Sequence, residues 1–285
     1  MTDTQLAQEI CREIRAGHKK RCLPYKLEPG DPGILDSKVG GTPYLPRETQ
    51  WPLCSNGIPM NPLAQIDCTQ LAALPDFPHT GLLQFFIGND DVYGAEFDDM
   101  TAQLGFRILY HETVDLSVTR EDVAAKQPPK PEAYDSPVLE PCRIVFGQVR
   151  EQELPGEDYL FEKLFLERWN LRRPEKPLKD LWSFYKLFPE GERDYSIFDE
   201  EPDKEEAPGP RHQLDGYPFF TQIDPRREDV DYAGFDTLLF QLDSDGRGAR
   251  DLVLWGDCGV GNFFIRREAL RNRDFSQVLY NWDCC

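Results

Sequence analysis

Residues 63–67 read Leu-Ala-Gln-Ile-Asp and residues 81–87 read Gly-Leu-Leu-Gln-Phe-Phe-Ile, and both stretches return later in the chain. Residues 239–243 read Leu-Phe-Gln-Leu-Asp, and residues 259–265 read Gly-Val-Gly-Asn-Phe-Phe-Ile. Gly41 is matched in the same order by Gly216, and the offset between the copies stays between 175 and 178 residues. Such a nearly constant offset indicates an internal duplication with insertions of only one to three residues.

Two copies are too few for a solenoid, whose stacked repeats usually number three or more. The duplication therefore predicts two related halves that close on each other around a pseudo-two-fold axis. We expect an α+β fold with two mainly antiparallel, sheet-rich halves and a few flanking helices. The expected boundaries are an N-terminal helix and connector at 1–30, a first half at 31–125, a linker at 126–137 and a second half at 138–285, all within one compact unit.

The spacing of apolar residues predicts where the elements lie. Leu6, Ile10 and Ile14 are four residues apart with charged residues between them, which predicts a helix over 4–16 that Gly17 ends. Further helices are predicted at 156–169, 178–188 and 266–273, and strands at 63–67, 82–87, 106–110, 114–118, 143–149 and 275–282. Residues 24–62 are dense in Pro and Gly, so we expect them to be extended and rich in turns.

Net charge is the second strong signal in the sequence. The 285 residues include 32 Lys and Arg against 51 Asp and Glu, a formal net charge of −19 at pH 7. A field of that sign repels nucleic acid and anionic membrane surfaces and attracts basic partners. We therefore expect a basic protein partner, no nucleic acid and no membrane; solubility alone is the alternative explanation of the charge.

The N-terminal residues, the length of the apolar runs and the cysteines indicate the compartment in which the protein is expected. Residues 1–16 do not have the apolar run of a secretory signal, and no stretch approaches the roughly 18 consecutive apolar residues of a membrane-spanning helix. We expect a cytoplasmic protein whose eight cysteines are reduced and mostly buried. Because no Cys-x-x-Cys pair or zinc-ligand spacing occurs, we predict no metal and no cofactor. The adjacent thiols of Cys284 and Cys285 could bind soft metals or oxidise, although simple packing is favoured.

Common catalytic signatures do not occur in the sequence. It has no Gly-x-Ser-x-Gly elbow, no phosphate loop, no dinucleotide-binding glycine motif and no His-Glu-x-x-His, so we assign no catalytic residue. The nearest approach to a metal motif is residues 111–115, His-Glu-Thr-Val-Asp. It follows a predicted strand, where residues four apart do not share a helical face, and a polar patch at a strand edge is favoured.

An alternative site for chemistry is the short polar cluster Asp243, Asp245, Asp257 and Cys258. Residues 243–248 begin like a calcium loop, but the twelfth position, which needs a bidentate Glu, is Leu254, so a tight turn between strands is favoured. Cys258 could act as a nucleophile with His212 as its base. Its acidic neighbour Asp257 disfavours the thiolate, and a packed thiol is favoured.

Residues 199–206 hold six acids against one base, and Pro208, Gly209 and Pro210 follow. This composition is typical of a solvated loop. It is also the first candidate for a surface that faces a basic partner. The acidic residues concerned are Asp199, Glu200, Glu201, Asp203, Glu205 and Glu206.

Several ordered motifs carry a family resemblance. They are Gly-Gly-Thr-Pro-Tyr-Leu-Pro at 40–46, Trp-Pro at 51–52, His-Gln-Leu at 212–214, Trp-Gly-Asp at 255–257 and Asn-Trp-Asp-Cys-Cys at 281–285. From about Gly40 to the last residue the chain resembles the YwqG-like family, bacterial proteins with a domain of unknown function. The resemblance implies an α+β fold of two related halves and a cytoplasmic bacterial protein, and it brings no established reaction. In genomic setting, members resemble immunity proteins that accompany secreted antibacterial toxins.

Two functional hypotheses follow from the sequence and the resemblance. The first is a non-enzymatic protein-binding module, an immunity protein that binds and neutralises a cognate toxin, with a basic nuclease as one candidate toxin. The second is an uncharacterised enzyme or metal-dependent protein with a site near Asp243, Asp245, Asp257 and Cys258. An acidic face without a convergent pocket would favour the first.

Overall fold

The computed structural model of the protein describes residues 1–129, 135–198, 210–227, 231–247 and 250–285. In these ranges the chain forms five α-helices and thirteen β-strands. The helices are α1 (Asp3–Gly17), α2 (Arg120–Ala124), α3 (Tyr159–Arg172), α4 (Leu181–Tyr185) and α5 (Arg267–Arg271). The strands are β1 (Lys19–Pro29), β2 (Lys38–Val39), β3 (Asn61–Asp67), β4 (Leu82–Ile87), β5 (Phe106–His111), β6 (Cys142–Phe146), β7 (Arg150–Glu153), β8 (Gln213–Asp215), β9 (Thr237–Asp243), β10 (Asp245–Arg247), β11 (Arg250–Val253), β12 (Val260–Ile265) and β13 (Leu279–Asp283).

Eleven of these strands form one antiparallel sheet. Its order is β13-β12-β9-β8-β1-β6-β2-β3-β4-β5, with β7 paired to the beginning of β1, while β10 and β11 pair separately. The two end strands approach each other, because the rings of Phe106 in β5 and Tyr280 in β13 lie 5.2 Å apart. The Tyr280 N–H also donates to the carbonyl of Met100 at 3.0 Å. The sheet is therefore nearly closed and barrel-like, which confirms the prediction of an α+β fold with mainly antiparallel strands.

The main core lies inside this curved sheet. Phe85 of β4 stacks on Phe240 of β9 at 4.6 Å and meets Phe263 of β12 at 5.1 Å, and all three side chains are fully buried. Because β4 lies far from β9 and β12 in the sheet order, this contact requires the sheet to curl around a shared core. Each aromatic pair contributes about 0.5–1.5 kcal/mol beyond the area that it buries.

In the middle of the sheet, strands from the beginning of the chain pair with strands from its second half. Lys19–Pro29, which the sequence assigns to a connector, is an eleven-residue strand that pairs with β6 and with β8, Leu23 lying opposite Leu214. Strand β6 pairs on its other side with β2. The N-terminal strand thus lies beside a late strand, and β6 lies beside an early one. The sequence did not predict β1, because three basic residues at its start and Pro24 within it are not typical of a buried strand.

The β3–β4 pair holds one loop residue through its side-chain amides. Gln65 lies opposite Gln84 in the register of the two strands. The Gln65 Oε1 accepts from the N–H of Tyr44 at 2.8 Å, and the Gln84 Nε2 donates to the carbonyl of Tyr44 at 2.6 Å. Both backbone groups of Tyr44 are therefore satisfied inside the protein, as buried polar groups require.

The β9–β12 pair holds Phe219 in the same way. Gln241 lies opposite Asn262, its Oε1 accepts from the N–H of Phe219 at 2.8 Å, and the Asn262 Nδ2 donates to the carbonyl of Phe219 at 2.9 Å. Tyr44 lies three residues after Gly41, and Phe219 lies three residues after Gly216. The bonding pattern around the two glutamines is therefore the same.

A second core lies between the long helices. Helix α1 begins at a capping box between Thr2 and Gln5 and buries Leu6, Ile10 and Ile14, so the helix predicted over 4–16 is confirmed. That face packs with the buried aromatic side chains of α3, which are Phe161, Phe165 and Trp169.

Other predicted elements differ from the structure in extent or in kind. Helix α3 begins only at Tyr159, after the cap provided by Asp158, and α4 occupies only Leu181–Tyr185 of the helix predicted at 178–188. The strand predicted at 114–118 is wrong. There the Asp115 carboxylate accepts from the backbone N–H and the hydroxyl of Ser117 and folds a turn. Among the described residues, no helix is both long enough and apolar enough to cross a membrane.

Candidate functional site

The alternative site predicted from the sequence occupies two different places. Asp243 ends β9 and Asp245 begins β10, and both side chains are buried beside His212. The His212 Nδ1 accepts from the N–H of Asp243 at 3.1 Å, so its proton lies on Nε2, which is 3.3 Å from the Asp245 Oδ2. The ring of Tyr25 stacks on His212 at 5.2 Å.

This buried cluster joins β9 to the segment that leads into β8. The Asp243 Oδ2 accepts from the N–H of Arg211 at 2.8 Å, and the Tyr25 hydroxyl donates to the carbonyl of Gln241 at 2.7 Å. Burial raises the pKa of Asp243, which the bond from Arg211 opposes. Asp243, Tyr25 and His212 each bond to a backbone group of the protein. The cluster therefore fastens backbone segments together inside the fold.

Asp257 and Cys258 lie in the loop between β11 and β12, and both are exposed. The Cys258 thiol contacts Cys285, with the two Sγ atoms 2.9 Å apart, and its backbone N–H donates to Asp257 Oδ1 at 2.8 Å. The hydrogen bonds of His212 go instead to Asp243 and Asp245, so the geometry gives no support to a Cys258–His212 pair. No group of three or more His, Cys, Asp or Glu side chains in the described part of the chain is arranged to hold a metal ion.

Two of the cavities in the described part of the structure lie away from these residues. One, of about 470 Å³, opens between β5 and the segment before β13 and is lined by Gln103, Arg107, Ile108, Tyr110, Arg273, Phe275 and Ser276. The other, of about 360 Å³, is walled in part by Gly40, Gly41 and Trp51. Neither cavity is lined by Asp243, Asp245, Asp257 or Cys258.

Lys38 is a buried amine close to the second cavity, and a buried lysine with a lowered pKa can act as a catalytic base or nucleophile. Burial lowers its pKa to about 7. Its Nζ donates to the carbonyls of Gly33, Ile34 and Thr42 at 2.7, 3.1 and 2.7 Å. Three acceptors match the three N–H donors of an ammonium group, so Lys38 organises the loop around it rather than presenting a free amine.

Arg226 forms the other strongly buried polar cluster. Its guanidinium donates to Asp224 through Nε at 2.9 Å and through Nη2 at 2.7 Å, and Asp158 lies 3.5 Å away. The rings of Tyr159 and Phe264 lie over the guanidinium at 4.8 and 4.3 Å. The cluster is enclosed and joins α3 to the sheet, as a structural ion pair does.

The predicted partner-binding residues were Asp199, Glu200, Glu201, Asp203, Glu205 and Glu206. They lie outside the described residues. The residues immediately before them are described, and they form an aromatic surface that sequence reasoning missed.

The aromatic surface consists of Trp182, Tyr185 and Tyr195. Trp182 is 51% exposed and Tyr195 is 50% exposed, and their rings stack at 6.2 Å. Tyr185 lies 4.9 Å from Tyr195, and its hydroxyl donates to the carbonyl of that residue at 3.1 Å. Large aromatic side chains exposed together on a polar protein are typical of interaction sites.

The second core holds this surface in place from below. Phe184, between Trp182 and Tyr185 in α4, is buried against Trp169 at 5.3 Å and Phe198 at 5.3 Å. Asp180 caps α4 by accepting from the N–H of Ser183 at 2.6 Å. The two exposed rings and the half-buried Tyr185 are therefore held on a fixed base, and little conformational entropy would be lost when a partner binds.

Acidic residues are frequent in the sequence around the aromatic surface. Glu190, Glu192 and Asp194 are exposed between Tyr185 and Tyr195. Residues 179–206 together carry ten acids against four bases. A sequence signal for the surface does exist, since Trp182 and Tyr185 are three residues apart in a predicted helix and therefore share a face. The predicted helix at 178–188 does not by itself indicate that this face is exposed.

A family model described as "Domain of unknown function (DUF1963)" matches residues 37–284 of the chain. No curated protein matches it.

Proposed function

The chain belongs to the DUF1963 family, whose function is unknown, and we propose that it is a non-enzymatic protein-binding module with a basic protein as its partner. In its narrower form, the proposal is that it acts in the cytoplasm as an immunity protein that binds and neutralises a cognate antibacterial toxin. The observation that carries the proposal is the exposed aromatic surface of Trp182, Tyr185 and Tyr195 within an acidic stretch.

The chemistry of this surface fits protein recognition. Trp and Tyr are enriched among the few interface residues that supply most of the binding energy, and truncating one typically costs about 2–4 kcal/mol. The acids around the rings would attract a basic partner and accelerate its association. Trp182 and Tyr185 share the short helix α4, which Phe184 fixes from below.

We also propose that the two sheet ends arose by an internal duplication. The matching bonds of Gln65 with Tyr44 and of Gln241 with Phe219 support this origin. Further support comes from the order of the strands, in which β2-β3-β4-β5 runs outward from the centre on one side and β8-β9-β12-β13 on the other. Duplication would account for a wide scaffold without implying a catalytic centre.

The experiment tests binding and protection together. The protein encoded by the adjacent open reading frame is co-expressed with the wild-type chain, and binding is measured between the purified proteins. We expect protection of the cells and binding that weakens at least about tenfold in the double variant Trp182→Ala with Tyr195→Ala. Phe97→Ala is the matched control, because Phe97 is an aromatic residue that is 67% exposed on the loop between β4 and β5.

Salt dependence separates the electrostatic part of the proposal from the aromatic part. Association should slow as ionic strength rises, since the Debye length falls from about 10 Å at 0.1 M to about 3 Å at 1 M. Replacing Glu190, Glu192 and Asp194 by amides should slow association and leave thermal stability nearly unchanged. Absence of both binding and protection with the wild-type chain would contradict the immunity proposal.

The alternative function, an enzyme or metal-dependent protein near Asp243, Asp245, Asp257 and Cys258, has a direct test. The burial of Asp243 and Asp245 against His212 supports a structural role for them. Calorimetric titration with Ca²⁺ and Mg²⁺ should therefore reveal no tight site. Submicromolar binding that Asp245→Ala abolishes would favour the alternative.

A further inference from the structure

The loop 254–259 and the residues that follow β13 bring three thiols to one place on the surface. Cys258 and Cys285 are exposed and Cys284 is partly exposed, whereas the other five cysteines are buried. The Sγ atoms of Cys258 and Cys285 are 2.9 Å apart. A disulfide needs about 2.05 Å, so less than 1 Å of movement separates these thiols from a bond.

Strand register explains why these two cysteines meet. In the β12–β13 pair, Val260 lies opposite Asp283. Both strands end at this pair, and the same register extended two residues beyond it would place position 258 opposite position 285. Directly opposed residues on antiparallel strands have Cβ atoms about 4.5–5.5 Å apart, close to the separation that a disulfide spans. The pairing of β12 with β13 therefore brings the two chain segments together.

Gly259 allows the two backbones to approach this closely. A Cβ at this position would overlap the carbonyl oxygen of Asp283. The loop is also fixed by Trp255, which is buried and lies 6.0 Å from the ring of Trp282 in β13. The two thiols are therefore held by packed elements on both sides.

We propose that Cys258 and Cys285 form a modification site at which a hydroperoxide converts the two thiols into a reversible disulfide. The thiolate of one cysteine attacks the hydroperoxide, an S–O bond forms, the O–O bond breaks, and an alcohol leaves, or water where the oxidant is hydrogen peroxide. The thiolate of the other cysteine then attacks the sulfenic sulfur, an S–S bond forms, the S–O bond breaks, and water leaves. Two thiols lose two electrons to one hydroperoxide.

The geometry does not distinguish the two thiols, since both are exposed and their Sγ atoms are 2.9 Å apart. The disulfide would tie the loop before β12 to the end of β13, an outer strand of the sheet.

Peptide mapping tests the proposal on the full chain. The reduced protein is treated with excess hydrogen peroxide, its free thiols are alkylated in denaturant, and it is digested with trypsin. We expect a dithiothreitol-sensitive link between peptide 251–266, which contains Cys258, and peptide 274–285, which contains Cys284 and Cys285. Cys258→Ser and Cys285→Ser should each reduce this species at least tenfold, while Cys284→Ser should retain it.

Each other outcome overturns the proposal. If all eight cysteines remain free for alkylation after peroxide treatment, no modification site exists. A disulfide confined to peptide 274–285 would show that Cys284 and Cys285 pair with each other. Loss of the linked peptides in Cys284→Ser, with retention in Cys285→Ser, would show that Cys258 pairs with Cys284 and not with Cys285.

Discussion

The β3–β4 pair and the β9–β12 pair hold their loops with the same bonds, yet the first pair is bonded more completely. Gln65 Nε2 donates to the carbonyls of Ile34 and Asp36 at 2.9 and 3.0 Å, and Gln84 Oε1 lies 3.0 Å from His111 Nε2. In the second pair, the buried Asn262 Oδ1 has no hydrogen-bond partner within the described structure.

The difference follows from the length of one side chain. Asn262 is one methylene shorter than Gln84, so its amide holds Phe219 but does not also bond Gln241 as Gln84 bonds Gln65, at 2.8 Å. Two regions with the same bonds to their loops can therefore differ in stability through the additional hydrogen bonds of the same amides. Equivalent substitutions in the two regions should therefore have unequal effects.

The largest effect is expected at the glycines that precede β4 and β12. A Cβ at Gly81 would overlap the carbonyl oxygen of His111, and a Cβ at Gly259 would overlap that of Asp283. Gly81 alone of the two has a left-handed φ, of 76°. Gly81→Ala should destabilise by about 3–5 kcal/mol and Gly259→Ala by about 2–3 kcal/mol, measured by urea unfolding. Equal losses of stability in the two variants would show that the left-handed φ of Gly81 adds nothing to the cost of its substitution.

The next effect is expected at the central glutamines. Gln65→Ala removes partners from Tyr44, Gln84 and two carbonyls and should cost about 3 kcal/mol, whereas Gln241→Ala should cost about 2 kcal/mol. The exposed Gln8 of α1 is the control, and Gln8→Ala should change stability by less than about 0.5 kcal/mol. A larger loss at Gln241 than at Gln65 would reverse the comparison. Urea unfolding supplies all three values.

A smaller difference is expected at the second member of each amide pair. Gln84→Ala should cost about 2 kcal/mol, because it removes one hydrogen-bond partner each from the Tyr44 carbonyl, Gln65 and His111. Asn262→Ala should cost about 1 kcal/mol, since one of its two polar atoms is already unpaired. The thermal midpoints of both variants check the order, and equal shifts would count against the role of His111.

The smallest effect is a pH dependence in the second region. Burial raises the pKa of Asp243 above the ordinary value of 3.8, so the native state keeps a proton that the unfolded chain has released. Its contribution to stability is fully present below about pH 3.8 and is lost as pH rises through the folded pKa. Asp243→Asn abolishes this titration and should gain stability relative to wild type as the pH rises from 4 to 7.

Urea unfolding across that pH range measures the effect of Asp243→Asn. Asp67 ends β3 as Asp243 ends β9, but it is only half-buried, and its carboxylate accepts from the N–H of Thr69 at 3.0 Å. Asp67→Asn therefore controls for the loss of a carboxylate from the matching place. A difference between wild type and Asp243→Asn that does not vary with pH would contradict the prediction.

The sequence predicted the outer strands well because their apolar runs are long and bounded by turn residues. β4 at Leu82–Ile87 and β5 at Phe106–His111 match the expected 82–87 and 106–110 closely. β1 was missed because its burial depends on β6 and β8, which follow more than 100 residues later. Local spacing contains no information about such partners.

The candidate sites followed the same rule. Asp243 and Asp245 are neighbours in sequence, but only the fold reveals that His212 lies between them and that both are buried. The pairing of Cys258 with Cys285 depends on the register of β12 against β13, which composition does not determine. The aromatic surface depends on which rings stay exposed; the spacing of Trp182 and Tyr185 indicates a shared face, but not whether that face packs or meets solvent, nor that Tyr195 joins it.

The place of β1 has a consequence for biosynthesis. Leu23 pairs with Leu214, so the strand made first waits for about two-thirds of the chain to leave the ribosome before one of its two edges is covered. Pairings this distant in sequence slow folding and prolong the exposure of an open strand edge. A nascent chain that ends before β8 would carry β1 without this neighbour, so the interval between the synthesis of β1 and that of β8 is the one in which a chaperone has the most to protect.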